Sequence, residues 1–166
     1  IPANNGLLLQ ESTFLQELRD LCTEHGVLLF FDEVISGFRV GFNGAAELLG
    51  ITPDIISYGK IIGGGLPVGA YGARAEIMAC VSPDGPVYQA GTLSGNPVAM
   101  AAGIAQLTEC AKPGFYEDQR ERTLYFVDQI NSHALAKGYN FEMVTVGSIF
   151  WLSFDGKKRI RKADQI

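Results

Sequence analysis

Lys60 is the residue whose surroundings point most directly to chemistry. It is the only charged side chain between Ile55 and Ala73, and glycines lie on both sides of it, at Gly59 and at Gly63 to Gly65. A lysine in apolar, glycine-rich surroundings is expected to lose hydration, which favours the neutral amine, a nucleophile or base. An ordinary lysine on a mobile glycine loop is the alternative.

Asp32 is the second candidate. It follows the continuous apolar run Val27 to Phe31, which is typical of a strand buried on both faces of a parallel sheet. Ligands of open α/β sheets bind at the carboxyl ends of the strands, so an acid at this point favours a binding role. The alternative is an acid that only marks where the strand reaches solvent. Because Lys60 follows the next predicted strand, the sequence predicts an acid and an amine at neighbouring strand ends.

A third candidate lies ahead of a predicted helix, in Gln89 to Pro97. The Thr92 hydroxyl and the backbone N–H groups there could bind an anion such as phosphate, which the helix dipole favours. The alternative is an ordinary helix N-cap at Asn96. A phosphate-binding P-loop is excluded because Ile61 follows Lys60 where serine or threonine is required.

The elements that must position these residues alternate between helical and strand periodicity. A capping box formed by Thr13 and Gln16 predicts the start of the first helix, and Gly26 predicts its end. The predicted helices are 13–25, 45–49, 98–109 and 116–137, and the predicted strands are 27–31, 55–57, 68–73, 141–146 and 148–154.

This order predicts an α/β fold in which helices flank a central, mostly parallel sheet, followed by the start of a smaller α+β C-terminal domain. We place the large domain at 1–115, a connecting helix at 116–138 and the incomplete small domain at 139–166. The chain starts at Ile1 without methionine and is rich in glycine, so we expect it to be a fragment of a longer protein.

Composition excludes several classes of function. Thirteen basic and eighteen acidic residues leave a net charge of −5 over 166 residues, which argues against nucleic acid and anionic membrane as partners. The apolar runs are too short to span a bilayer. Three cysteines and two histidines show no metal-ligand spacing, so we predict no metal site. The odd cysteine count favours a reducing compartment, and we expect a cytoplasmic protein, or a plastid one in a plant or alga.

Six motifs in order resemble the class III, fold-type I aminotransferases, which use pyridoxal phosphate. They are Phe31-Asp32-Glu33-Val34, Gly37-Phe38-Arg39, Thr52-Pro53-Asp54, Gly59-Lys60, Gly63 to Ala70 and Gly91 to Pro97. The resemblance implies the pyridoxal-phosphate fold, and a cofactor that passes through its pyridoxamine form during the reaction.

The resemblance also implies roles for four residues. Lys60 matches the lysine that bonds to the cofactor aldehyde and then moves protons. Asp32 matches the acid that pairs with the pyridine nitrogen, and Val34 the aliphatic residue against one ring face. Thr92 matches the hydroxyl that binds the cofactor phosphate across a homodimer interface, so each site would need both subunits.

The wording of Gly37 to Arg39 and of Gly91 to Pro97 resembles the aminomutase branch, whose members move an amino group within one small substrate. The alternative is an intermolecular aminotransferase acting on an ω-amino acid or amine. A non-catalytic module that keeps only the fold is a third reading. The presence of Lys60, Asp32 and Thr92 argues against it, because a module without chemistry would be expected to lose them. We expect the 166-residue chain alone to be inactive, because the family's cofactor site draws on a longer chain.

Overall fold

The computed structural model describes residues 1–154. Short 3₁₀ turns lie at Ala3–Asn5 and Lys60–Gly63. The helices are α1 (Ser12–Glu24), α2 (Gly44–Leu49), α3 (Ala75–Met78), α4 (Pro97–Cys110) and α5 (Phe115–Lys137), and the strands are β1 (Phe30–Asp32), β2 (Ile55–Tyr58), β3 (Ala70–Ala73), β4 (Glu142–Val146) and β5 (Ile149–Ser153).

The first sheet confirms the predicted α/β class and places the candidate site. Its order is β1-β2-β3, and β1 runs parallel to β2 with Asp32 opposite Ser57. β3 returns antiparallel to β2. The eleven residues between Tyr58 and Ala70 hold only a 3₁₀ turn, and a parallel crossover usually needs about a dozen residues or more with a helix. The described sheet is therefore mixed.

The expected burial of the first strand on both faces is wrong for this part of the chain. Val27 and Phe30 are each 55% exposed, whereas Leu29 between them is buried. Apolar side chains of α1 are open as well, with Phe14 and Leu21 about half exposed. Within residues 1–154, β1 is also an edge strand, since it pairs only with β2.

Helix ends follow the sequence signals in three of four cases. Gly26 follows the end of α1 with a left-handed φ of +63°. Asn96 caps α4 by accepting hydrogen bonds from Val98 and Ala99 N–H, with Pro97 as the first helical residue. α5 ends at Gly138, whose φ of +68° is left-handed. The capping box is wrong, since α1 begins at Ser12 and the Gln16 amide donates along the helix to Asp20.

The C-terminal part is a β4–β5 hairpin packed on α5. Asn131 of α5 both donates to and accepts from the backbone of Met143, at 2.9 and 2.7 Å, and the Met143 side chain is buried. The domain limits 1–115, 116–138 and 139–166 stay predictions, and residues 155–166 lie outside the described residues.

Residues 1–154 contain neither a candidate membrane-spanning helix nor a candidate metal cluster. No helix in this range is long and apolar enough to cross a membrane. The same residues hold no group of three or more histidine, cysteine, aspartate or glutamate side chains arranged to hold a metal ion.

Asp54 ties α1 to the sheet. Its Oδ2 accepts from Leu29 N–H at 2.8 Å and from Arg19 Nη1 at 2.6 Å, while Arg74 lies 3.6 Å from Oδ1. The Leu29 hydrogen bond, followed by Arg19, holds the pKa of Asp54 below its ordinary value of 3.8. This carboxylate therefore stabilises the fold above pH 3.8, and the stabilisation is lost as pH falls through the lowered pKa.

We expect Asp54→Asn to lower the melting temperature at neutral pH, with the difference from wild type shrinking below about pH 4. Thermal melts from pH 7 to pH 3 measure it. Asp118→Asn is the control, because the Asp118–Arg122 pair on α5 is exposed and worth little. A difference between wild type and Asp54→Asn that grows towards low pH would contradict the expectation.

Candidate active site

Three of the four predicted site residues lie on one cavity. Asp32, Val34 and Lys60 line a pocket of about 540 Å³, which is closed on another side by N-terminal residues that include Pro2 and Asn4. Asp32 ends β1, and Lys60 comes two residues after β2, so the parallel pairing of these strands brings acid and amine to the same edge. This is the arrangement that the strand order predicted.

The Asp32 carboxylate is fixed at one oxygen and open at the other. Oδ1 accepts from Val34 N–H at 3.0 Å and from the Ser57 hydroxyl at 3.4 Å. Within residues 1–154, no hydrogen bond reaches Oδ2. A carboxylate that is oriented in this way and keeps one free oxygen can accept a hydrogen bond from a ligand N–H.

Lys60 adopts a left-handed backbone, with φ of +48°, at the first position of the Lys60–Gly63 turn. A non-glycine residue in this region costs about 1–3 kcal/mol, and such strain clusters at functional sites. Gly59 before it is buried, and a Cβ there would lie 3.1 Å from Val34 Cγ1. Glycine therefore lets the turn approach Val34 closely.

The expected loss of hydration at Lys60 is wrong for the described chain. The Lys60 side chain is exposed and lies on the cavity, although Ile62 in the same turn is buried. The apolar neighbours pack beneath the turn against α4 and leave the amine in solvent.

Thr92 is not brought to this cavity. It is exposed, in the turn ahead of α4, and the oxygen that caps the helix belongs to Asn96. The ordinary N-cap reading therefore accounts for Asn96. A role for Thr92 in the site of a second subunit stays a prediction.

Two further residues shape the site and had no assigned role from sequence. Ser57 orients Asp32. This pairing could have been predicted from the sequence, because the two residues lie at the ends of the two predicted parallel strands. Glu33 is 1% exposed and accepts three hydrogen bonds beneath the cavity. Burial, followed by the charge of Glu33, raises the pKa of nearby Tyr58.

α4 supports the lysine turn through a backbone contact that only glycine permits. A Cβ on Gly103 would collide with the Ile62 carbonyl oxygen, and one on Gly64 would lie 2.5 Å from the Ala102 carbonyl oxygen. The helix therefore packs directly on the backbone of the turn that carries Lys60.

We expect Gly103→Ala to destabilise the protein by about 1–3 kcal/mol through overpacking, although alanine is the better helix former by about 1 kcal/mol. Denaturant unfolding measures the change. Gly72→Ala in β3 is the matched control, because no atom lies within 4 Å of its added Cβ, and it should stay within about 0.5 kcal/mol of wild type. Equal stability of the two variants would contradict the backbone contact.

Comparisons with known proteins agree with the motifs and the fold. The profile of the family Aminotransferase class-III matches residues 1–160. Glutamate-1-semialdehyde 2,1-aminomutase from Leptospira biflexa is 52% identical over 100% of this chain, which corresponds to 39% of that protein. The chain thus spans about 39% of the length of the curated relatives it matches.

Two solved structures extend the likeness to the fold. A β-phenylalanine aminotransferase from Variovorax paradoxus has a TM-score of 0.86 at 34% identity, over 97% of this chain and 37% of that one. A transaminase with PLP bound has a TM-score of 0.82 at 32% identity, over 89% of this chain and 35% of that one. Motifs, family profile and backbone agree, and the chain belongs to the class-III aminotransferase family.

Proposed function

We propose that this chain is part of a pyridoxal-phosphate-dependent glutamate-1-semialdehyde 2,1-aminomutase. Such an enzyme moves an amino group from C2 to C1 of its substrate and yields 5-aminolevulinate, a tetrapyrrole (porphyrin) precursor. The observation that carries the proposal is the placement of the Asp32 carboxylate, the Val34 side chain and the Lys60 amine on one cavity. The likeness to the Leptospira aminomutase supports the choice of reaction.

The donor set fits pyridoxal phosphate. Asp32 has a free carboxylate oxygen that can hold a proton on a pyridine nitrogen, Lys60 has a primary amine for an aldehyde, and Val34 offers apolar surface to a flat ring. When bound, pyridoxal phosphate supplies an aldehyde that takes up amino groups and a protonated ring that withdraws electrons from the substrate carbon.

The chain's own residues then have separable tasks. The Lys60 amine would give a proton to C1 of the substrate and take one from C2 in separate stages of the isomerisation, which is general acid and base catalysis by one group. The exposure of the Lys60 side chain on the cavity leaves it free to reach both carbons. Asp32, held by Val34 N–H and Ser57, keeps its negative charge aimed in one direction. Because the reaction is an isomerisation, no second amino donor is required.

We also propose that the protein forms a homodimer in which Thr92 binds the cofactor phosphate in the partner's site, and that it is located in the cytoplasm. Thr92 is exposed and removed from the cavity of its own chain, as a residue that acts across an interface would be.

Cofactor trapping tests the proposal. Pyridoxal phosphate is added to this chain and, separately, to the full-length protein of which we expect the chain to be a part. The absorbance of the imine is followed before and after borohydride reduction, and peptide mapping then locates the reduced adduct. We expect an adduct on Lys60 in the full-length protein, and neither the adduct nor 5-aminolevulinate formation from the chain alone. The absence of an adduct on Lys60 in the full-length protein would contradict the proposal.

The second candidate function is intermolecular amino transfer to or from an ω-amino acid or amine. It is favoured by the high TM-score with the β-phenylalanine aminotransferase. Product analysis separates the two: glutamate 1-semialdehyde should be converted with no added amino acceptor. Conversion of amines only when pyruvate or 2-oxoglutarate is present would favour the alternative.

A further inference from the structure

Glu33 is a buried carboxylate for which the proposed chemistry has no use. Its side chain is 1% exposed, and within residues 1–154 it forms no ion pair with a lysine, arginine or histidine. A buried charge is costly unless hydrogen bonds compensate it, so its partners require an explanation.

Three donors compensate this carboxylate, and all come from the segment that follows it. Oε2 accepts from the Ser36 hydroxyl at 2.5 Å and from Ala45 N–H at 2.9 Å, and Oε1 accepts from Ala46 N–H at 2.7 Å. Ala45 and Ala46 belong to the first turn of α2, whose N–H groups have no partner within the helix. The side chain therefore ties the end of β1 to the start of α2.

The backbone of Glu33 is fixed as well. Its N–H donates to Ser57 O at 2.9 Å, which extends the parallel pairing with β2, and its carbonyl accepts from Gly37 N–H at 2.8 Å. Space for the Glu33 carboxylate depends on glycine at position 44, since a Cβ on Gly44 would lie 2.7 Å from Glu33 Oε2. Gly44 also has φ of +68°, which disfavours any other residue.

The neighbours of Glu33 in sequence are the residues that face the cavity. Asp32 and Val34 line it, whereas the Glu33 carboxylate lies against Ser36 and the start of α2. We propose that Glu33 is a positioning residue: its hydrogen bonds to Ser36 and α2 fix the directions in which Asp32 and Val34 meet the cofactor. This inference rests on the proposed function for the identity of the cofactor.

Glu33→Gln tests the inference, because the amide keeps the shape and replaces one acceptor oxygen by a donor that faces N–H groups. In the full-length protein loaded with pyridoxal phosphate, we expect cofactor affinity to fall about 10-fold. We also expect the visible circular dichroism per bound cofactor to fall, since this signal reports the orientation of the ring. Met143→Ala is the control, because it empties a buried site in β4 and should lower the melting temperature without altering either signal.

Two further measurements keep the inference testable. If Glu33→Gln does not fold, Ser36→Ala removes one donor, keeps the carboxylate and should give a smaller fall in the same dichroic signal. Amide hydrogen exchange without cofactor should accelerate across 32–46 in Glu33→Gln and not in Met143→Ala. Folded Glu33 and Ser36 variants with wild-type affinity and dichroism would overturn the inference. The proposed function fails differently, by the absence of a Lys60 adduct in the wild type.

Discussion

Replacing Lys60 by alanine is expected to lower turnover of the full-length protein about 10⁴-fold, because one amine provides both the bond to the cofactor and the proton transfer. The fold should be unaffected. The side chain is exposed and makes no hydrogen bond within the described residues, and alanine at φ +48° carries the same backbone strain as lysine. Steady-state kinetics, with borohydride trapping of the adduct, measure the loss.

Lys112→Ala is the matched control for this substitution. Lys112 is an exposed lysine whose ion pair with Glu109 spans three residues on the surface, and such pairs contribute little to stability. It should retain wild-type turnover and the full yield of reducible adduct. A Lys60→Ala protein that keeps even a tenth of wild-type turnover would show that another group provides the amine.

Replacing Asp32 by asparagine is the second large effect we expect. The amide oxygen can still accept from Val34 N–H, so the turn after β1 should keep its shape. The negative charge at Oδ2 is lost. Asp32 is exposed in the described chain, but truncating one partner of a charged hydrogen bond costs about 2–5 kcal/mol once the bound cofactor covers the pair. We therefore expect kcat/KM to fall about 10²- to 10³-fold, measured under conditions that saturate the cofactor.

Asp84→Asn gives the control for this charge change. Asp84 is an exposed aspartate in the segment between α3 and α4, away from the cavity. The same loss of one negative charge there should leave kcat/KM unchanged. If the two variants behave alike, Asp32 interacts with solvent only, and the reading of it as an acid at a solvated strand end is correct.

The sequence by itself predicted the candidate site residues and most of the elements. One apolar run ends just before Asp32, and the next predicted strand ends shortly before Lys60. The spacing of apolar side chains and the positions of glycines predict such strands and turns, because both depend only on neighbours along the chain. The same holds for the N-cap Asn96 and the stop at Gly138, both confirmed. Six ordered motifs were enough to identify the family, which the comparisons confirm.

The tertiary structure decided what depends on distant neighbours. The sheet contains an antiparallel strand because the connection to β3 is short, and Lys60 is exposed because α4 packs under its turn through Gly103. In the sequence, Glu33 is only an acidic residue within a family motif. Its side chain is buried beneath the cavity because α2 packs against it, and the sequence does not specify that contact. Burial and hydrogen-bond satisfaction are set by contacts between segments far apart in sequence, and residue types alone do not specify those contacts.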